Sequence, residues 1–512
     1  MKRTAKWICI ALCLAMLTAV FSSCGGNQTE STDTAASAVS GPVDLSGGDN
    51  GIGGGVVIGG NNNLPSVDAS SDKYEPSGTD YNGADFVVLV SNKDSAVVNM
   101  FEYKEDDRTV LNSAIHRKNE SVKADYNVSF SFEFDQVAKN GATNMLKAYQ
   151  SDSLDYHLSY ISADSVVGLA TQGVLYDLNK LDGINLANSW WDQRANIDLS
   201  INGQMYFTTG DIDVWDDMQQ FIMMFNRSLF TEKVDGTTVD DLYSLVEDGK
   251  WTYDKFYELG RGVTDDSNGD NKMDHEDTWG MITWDDTIYS VFSSTGAKVV
   301  KNENNTLSLG MIGDERSINC MTEYTEWTAQ NAYNYSRDGN GTKAIKMFQE
   351  DRALFFMGRL SSLNHYRDMQ SDFGVLPVPK YTEEDDYYVT VSPYHTSMVC
   401  TLSTEAQATM RGEIIESCAY YGAMECTPAY REKMLEGTNI RDEGSLMTLK
   451  LCATNRIYDI GFYISPGKIQ GQLIILYRKW GTEYASTYEQ YRSAAEQDIA
   501  SVASAYAKLA NQ

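Results

Sequence analysis

The stretch Gly203 to Phe230, GQMYFTTGDIDVWDDMQQFIMMFNRSLF, decides the fold. It reads as a small turn, a strand, a polar loop, and then an apolar strand that runs directly into a helix. Phe221 to Phe225 is apolar without alternation, the pattern of a strand covered on both faces. Asn226 follows as an N-cap residue ahead of Arg227-Ser228-Leu229-Phe230. The chain is therefore expected to cross here from one α/β lobe to another, with Gly210, Asp211, Asp213 and Trp215 in the loop facing the cleft.

Upstream, Phe86 to Val90 reads as a buried strand, followed by a polar loop at Ser91-Asn92-Lys93 and a helix near Thr109 to Ala124. Tyr126 to Phe134 alternates as a strand, a helix follows near Ala142 to Tyr149, and Tyr156 to Ile161 forms a third strand ahead of Ser162-Ala163-Asp164. Strands and helices alternating in this way indicate a parallel sheet, whose ligands sit at the carboxyl ends of its strands. Downstream, helices are expected over Thr238 to Val246 and from Tyr253, a hairpin over Asn302 to Leu309, and further helices from Asp314 and Ala344. Ala353 to Arg359 is a buried strand ending in glycine and a lone arginine. Phe373 to Lys380, FGVLPVPK, is extended because each proline biases its predecessor out of helix, and it reads as a second crossing. The remainder is mainly helical: Glu405 to Ala423, Ala429 to Leu435, Gly444 to Arg456, Gly471 to Lys479 and Thr487 to Leu509.

At 512 residues the chain exceeds what one core supports. The two crossings divide it into a first lobe, 83–222 with 374–424, and a second, 223–373 with 425–512. A formal charge of -31 argues against nucleic acid or an anionic membrane surface as partner and for a soluble monomer. The 31 tyrosines and nine tryptophans serve cores first, although such rings also suit stacking on sugar faces. Of eight cysteines, five lie beyond the N-terminal segment, and no CxxC pair occurs. Buried thiols are one reading and a Cys418–Cys426 disulfide is another.

At the amino terminus, Lys2, Arg3 and Lys6 precede the apolar run Trp7 to Phe21, too short to span a membrane comfortably, and Ser22-Ser23 then lead to Cys24. This is a signal peptide over 1–23. Gly, Ser, Thr, Asn and Asp dominate from there to Asn82, the composition of a flexible linker over 24–82.

Asp266, Asn268, Asp270, Lys272, Asp274 and Asp277 stand at positions 1, 3, 5, 7, 9 and 12 of an EF-hand-like loop. Oxygens at that spacing can converge on one calcium ion, with Lys272 offering its backbone carbonyl. Asn271 replaces the turn glycine and Asp277 the bidentate glutamate, so a metal-free acidic turn is the alternative. Any such ion would be structural.

No G-x-S-x-G elbow, H-E-x-x-H, Walker loop or dinucleotide glycine fingerprint is present, and the five histidines are scattered singly. Several segments do resemble a known family in the expected order: GVLYDL from Gly173, GQMYFTTGD from Gly203, MMFNRSLF from Met223, GKWTYDKF from Gly249, DSNGDNKMDHEDTWG from Asp266, FGVLPVPK from Phe373 and NRIYDIGFY from Asn455. Over residues 85 to 510 the chain is similar to family 1 of the extracellular solute-binding proteins of ABC importers, a group that includes sugar binders. The placement of Cys24 resembles a lipobox, with Phe21 where Leu is usual.

The resemblance implies an α/β, two-lobed periplasmic-binding-protein-like fold of the class II type, with hinge crossings between two parallel-sheet lobes. It implies a non-enzymatic protein that captures a carbohydrate, expected to be an oligosaccharide, and delivers it to ABC permease subunits. Acylation of Cys24 would hold it on the extracellular side of the bacterial cytoplasmic membrane. Cleft candidates are Ser162, Asp164, Asp211, Asp213, Trp215, Trp284, Asp285, Arg359, Tyr458, Asp459 and Tyr463. A peptide or other solute ligand, and a surface glycosidase or polysaccharide-adhesion protein, are the competing readings.

Overall fold

A computed structural model of the chain describes residues 73–511 apart from 304, 312, 340, 432–439 and 441, and all of these fall within one compact unit. The expected signal peptide 1–23, Cys24 and the linker as far as residue 72 lie outside the described residues. So does the expected helix Ala429 to Leu435 beyond residue 431.

Three strands come first: β1 (Ala84–Ser91), β2 (Val128–Asp135) and β3 (Leu158–Ser162). β1 lies between the other two and parallel to both, the crossovers being made by the helices Val110–Tyr126 and Ala138–Gln150. Thr109 starts the first helix by accepting the Asn112 N–H at 3.2 Å, and Asn127 ends it at a φ of 49°. Next come β4 (Phe221–Asn226), β5 (Trp279–Thr283), the hairpin of β6 (Val300–Glu303) and β7 (Thr306–Leu309), β8 (Ala332–Asn334), β9 (Ala353–Arg359) and β10 (Phe373–Leu376). They build a second sheet ordered β10-β4-β9-β5-β8, with the hairpin apart from it. β5 runs parallel to β8 and β9, and β4 antiparallel to β9 and β10. Of the last three strands, β11 (Val389–Thr390) and β13 (Arg456–Ile457) form a short parallel pair. β12 (Ser397–Cys400) returns to the first sheet, antiparallel to β3, giving the order β12-β3-β1-β2.

The crossings differ from expectation. Phe221–Asn226 and Phe373–Leu376 do not pass between sheets; they pair with one another inside the second, Phe373 opposite Asn226. The passages lie beside them. Gln220 bridges Val391 in antiparallel fashion, and the Ser392 N–H donates to the Gln219 carbonyl at 2.9 Å. An apolar run covered on both faces marks a sheet interior, whereas a passage is short and polar and leaves little pattern. Both sheets are mixed rather than wholly parallel, since a strand entered from a passage needs no crossover helix. The strand expected after Gly203 is reduced to isolated bridges at Gln204, Thr208 and Gly210, of which Thr208 against Val399 extends the first sheet beyond β12.

Two hydrophobic clusters form, but not one per sheet. Phe86, Val88, Val90 and Tyr160 pack under the helices Val110–Tyr126 and Ala408–Tyr421 in a cluster private to the first sheet. The other face, with Leu89 and Ile161, is continuous with Met223, Phe355 and Phe356 of the second sheet. The closing helix Tyr484–Leu509 adds Tyr484, Ile499 and Tyr506 to that shared core. Ahead of β1, Tyr74 stacks on Tyr420 with ring centroids 4.3 Å apart, and its hydroxyl lies 3.2 Å from that of Tyr126. Cys320, Cys400, Cys418, Cys426 and Cys452 are free and buried, so Cys418 and Cys426 are not joined. No helix among the described residues is long and apolar enough to cross a membrane.

Candidate functional site

The parallel strands of each sheet put their carboxyl ends on one edge, where side chains are free of the ladder. β1 runs into Asn92-Lys93-Asp94, and the Asn92 amide donates to Ser397 Oγ at 2.8 Å and to the His395 carbonyl at 3.3 Å. β3 ends at Ser162 opposite Ser397, and Asp164 is exposed in the first turn of the helix Ala163–Thr171. Because β12 is antiparallel to β3, Tyr394 and His395, which precede it, come to this same edge. The Trp215 indole donates to the His395 carbonyl at 2.7 Å.

The second sheet presents Trp284-Asp285-Asp286 after β5, Tyr335 after β8 and Arg359 at the end of β9. Trp284 lies 5.7 Å from Tyr335 and 5.8 Å from Phe221, centroid to centroid. Asp285 is held by Arg478, whose Nε donates at 2.7 Å. The two edges meet here. Tyr289 donates to the Tyr394 hydroxyl at 3.0 Å, Arg359 Nη1 to Gln219 Oε1 at 2.6 Å, and His395 Nδ1 stands 3.9 Å from Asp286 Oδ2.

Burial pushes His395 well below the usual histidine range, and the charges of Arg359 and Lys93 push it the same way. The imidazole is therefore neutral at pH 7, and its approach to Asp286 is not an ion pair. Burial raises the Asp286 carboxyl, with Asp285 adding to it and Lys93 and Arg359 opposing. Desolvation lowers both Arg359 and Lys93, although Lys93 itself is exposed at the rim. Guanidinium and ammonium donors, carboxylate acceptors and the half-buried rings of Tyr335 and Tyr394 suit a polyhydroxylated ligand.

No family model matches the chain, and no curated protein matches it. Solved structures do. A cyclic α-maltosyl-1,6-maltose-binding protein from Arthrobacter globiformis aligns with TM-score 0.55 and 12% identity, over 82% of this chain and 99% of that one. A cyclo/maltodextrin-binding protein complexed with maltotetraose aligns with TM-score 0.54 and 12% identity, over 82% and 97%. The maltose/maltodextrin-binding domain from Bdellovibrio bacteriovorus bound to maltotriose gives 0.50 and 14%, over 81% and 100%. The chain has the fold of these saccharide-binding proteins.

The meeting edges bring together Ser162, Asp164, Trp215, Trp284, Asp285 and Arg359. Trp215 and Trp284 are 2% and 7% exposed, however, so their faces are already covered by protein. The other candidates belong to a buried network. Arg456 binds Asp192 at 3.1 Å, Asp216 at 3.2 Å and Asp217 at 2.7 Å. Tyr458 donates to Asp192 at 3.0 Å. Burial lifts Asp216 well above the carboxylate range against the pull of Arg456. Asp213 accepts from Tyr160 at 3.0 Å and from the Trp215 N–H at 2.6 Å, and burial raises it to about 7. Asp211, raised by burial to about 6, accepts from Thr427 at 2.6 Å. Its backbone lies so close to Gly422, where the helix Ala408–Tyr421 passes into a π-helical turn, that a Cβ there would stand 1.7 Å from the Asp211 carbonyl oxygen. Asp459 takes the N–H groups of Val299, Val300 and Gly461, and Tyr463 packs on Phe207 at 6.4 Å. A cavity of about 180 Å³ beside Arg456 is lined by Trp190, Trp191, Asp192, Asp211, Asp216 and Asp217.

In the loop 266–277 the side chains turn onto backbone. Asp266 accepts from Gly269 and Asn271, both at 2.8 Å, Asn268 from Asp270 at 2.9 Å, and Asp270 from Lys272 at 2.8 Å. Asp274 accepts from Glu276, and Asp277 accepts from the Asp274 N–H. Gly269 and Asn271 take φ of 73° and 65°. Among the described residues, no three His, Cys, Asp or Glu side chains stand close enough to share a metal ion.

Sequence reading missed Asp94, Asp286, Tyr335, Tyr394, His395 and Gln219 as site residues, and Lys93 was noted only within a polar loop. For Lys93 and Asp286, proximity to the end of an apolar strand is a usable signal. Tyr335 follows a strand of three residues, AYN, and Tyr394 precedes an antiparallel one, so neither has that signal.

Proposed function

We propose that the chain is the substrate-binding component of an ABC importer, which captures an oligosaccharide between its two sheets and passes it to membrane permease subunits. The observation that carries this reading is the meeting of the carboxyl edges, where Lys93 and Tyr394 face Asp286, Tyr335 and Arg359 beside the paired passages at Gln220 and Val391. Short extended passages can absorb the dihedral change of a rotation, and a ligand that touches both edges favours the closed arrangement. The shared fold with proteins solved on maltotetraose and maltotriose supports a saccharide ligand and a role without catalysis. Membership of family 1 rests on the seven segments from Gly173 to Tyr463.

Two parts of the proposal stand on sequence. Cys24 carries a lipid that holds the protein on the extracellular face of the cytoplasmic membrane, and the loop 266–277 takes a structural calcium ion. A thermal-shift screen over mono- and oligosaccharides, amino acids and peptides tests the main reading. One oligosaccharide class should raise Tm, and small-angle scattering should then show a smaller radius of gyration. Stabilisation by a peptide alone, or cleavage of the bound oligosaccharide, would overturn it.

A further inference from the structure

The polar groups at the meeting edges are not equally satisfied. Asp94 accepts the Ala96 N–H at 3.0 Å, Asp164 accepts from Ser165 Oγ at 2.9 Å, and Asp285 is bound by Arg478. Asp286 takes a hydrogen bond from the Trp284 side chain and faces His395. The acids therefore have partners. The two cations have no acid in contact: among the described residues, no carboxylate oxygen lies within 4.0 Å of Lys93 Nζ or of the Arg359 guanidinium, and Asp286 and Asp94 act on both only from further away. Arg359 spends Nη1 on the neutral amide of Gln219, and its buried Nε has no partner at all.

This runs against composition. In a chain of 72 acidic and 41 basic residues, a buried guanidinium would be expected to find a carboxylate. Taking such a group out of water without an acid in contact is costly, Asp286 and Asp94 offset that cost only in part from a distance, and an anion that arrives in contact recovers more of it. Guanidinium also matches a carboxylate in two parallel hydrogen bonds, a geometry that hydroxyls fit less well. Lys93 comes from the first sheet and Arg359 from the second, so one anion between them would join the two edges.

We propose that the captured oligosaccharide is acidic, carrying a hexuronate ring whose carboxylate is held between Lys93 and Arg359. This rests on the carbohydrate reading above and adds the ligand's charge. Tyr335, half-buried near Arg359, and Tyr394, half-buried on the facing edge against Tyr289, supply ring faces for the apolar side of the sugar.

The test is calorimetric titration of the full chain with trisaccharides of galacturonate, glucuronate and mannuronate, each beside its fully methyl-esterified counterpart. One acid should bind at least tenfold more tightly than its ester, since charge-assisted hydrogen bonds contribute about one to two decades of affinity. Arg359→Gln and, independently at the exposed rim, Lys93→Gln should each remove most of that preference, with thermal melts confirming the fold. Equal affinity for acid and ester, binding of neutral sugars alone, or variants that weaken acid and ester alike would overturn the acidic ligand while leaving carbohydrate capture intact. Failure of every oligosaccharide, charged or neutral, would overturn both.

Discussion

Arg456 and Arg359 are both arginines in polar clusters near the passages between the sheets, and their surroundings are opposite. Arg456 is ringed by Asp192, Asp216 and Asp217, with Tyr458 closing the network. Arg359 has one neutral amide and an unpartnered Nε. A cation saturated by its own chain holds structure, whereas a cation left wanting is available to something that comes and goes. Sequence chemistry alone does not separate the two, because each arginine lies beside an ordinary run of residues, Arg359 at the end of β9 and Arg456 at the start of β13.

The largest test of this contrast is Arg456→Ala. It leaves three carboxylates around the vacated position without their cation, and breaking such a pairing costs about 3 to 5 kcal/mol. Denaturant unfolding should show that loss, and a change below about 1 kcal/mol would remove the structural role assigned to the network.

Asp211 probes the same region through pH. Burial raises its folded-state pKa to about 6, so the folded chain holds this proton more tightly than the unfolded chain does. Its contribution to stability is complete below about pH 4, the unfolded value, and is lost as pH rises through about 6. Asp211→Asn keeps an acceptor for Thr427 and does not titrate. It should match wild type near pH 4 and exceed it by about 1 to 3 kcal/mol above pH 7. A parallel pair of stability profiles would show that the carboxyl is solvated.

The loop 266–277 lies between the two kinds of cluster, since its oxygens are engaged by backbone N–H groups yet keep further lone pairs. With calcium bound, Asp270→Ala should cost about 1 kcal/mol, and the difference should vanish in chelator. Identical melting of wild type with calcium and with chelator would make the loop a metal-free turn. The smallest effect belongs to Arg359→Gln, which removes a charge that no carboxylate contacts. It gives up one hydrogen bond to Gln219 and relieves the desolvation of a guanidinium with no acid in contact, two effects of opposite sign and about 1 kcal/mol each, so stability in the absence of ligand should stay within about 0.5 kcal/mol of wild type. A loss as large as that of Arg456→Ala would erase the distinction.

What was legible in sequence were features with a local cause. Asn226 caps its helix by accepting from Leu229 at 2.8 Å, and Thr238 forms a capping box with Asp241. The buried runs Phe221–Asn226 and Ala353–Arg359 are strands, and Arg359 and Asp285 do sit at strand ends. Features decided by distant partners were not legible. The passage residues Gln219 and Ser392 have no pattern, and Tyr394 reaches the edge only because β12 runs backwards. Trp215 is in the cleft region but its face is covered, and Tyr458 is committed to Asp192, a residue 266 positions away in sequence. Aromatic and acidic side chains in a loop look alike in sequence whether a ligand or another part of the chain will occupy them.

The clamp of Tyr74 on Tyr420 has a mechanical side. Tyr420 belongs to the helix Ala408–Tyr421, which packs in the cluster private to the first sheet. Any tension reaching the chain from its amino-terminal side therefore enters through that sheet and its own core. The first sheet would take that load before the core it shares with the second sheet does.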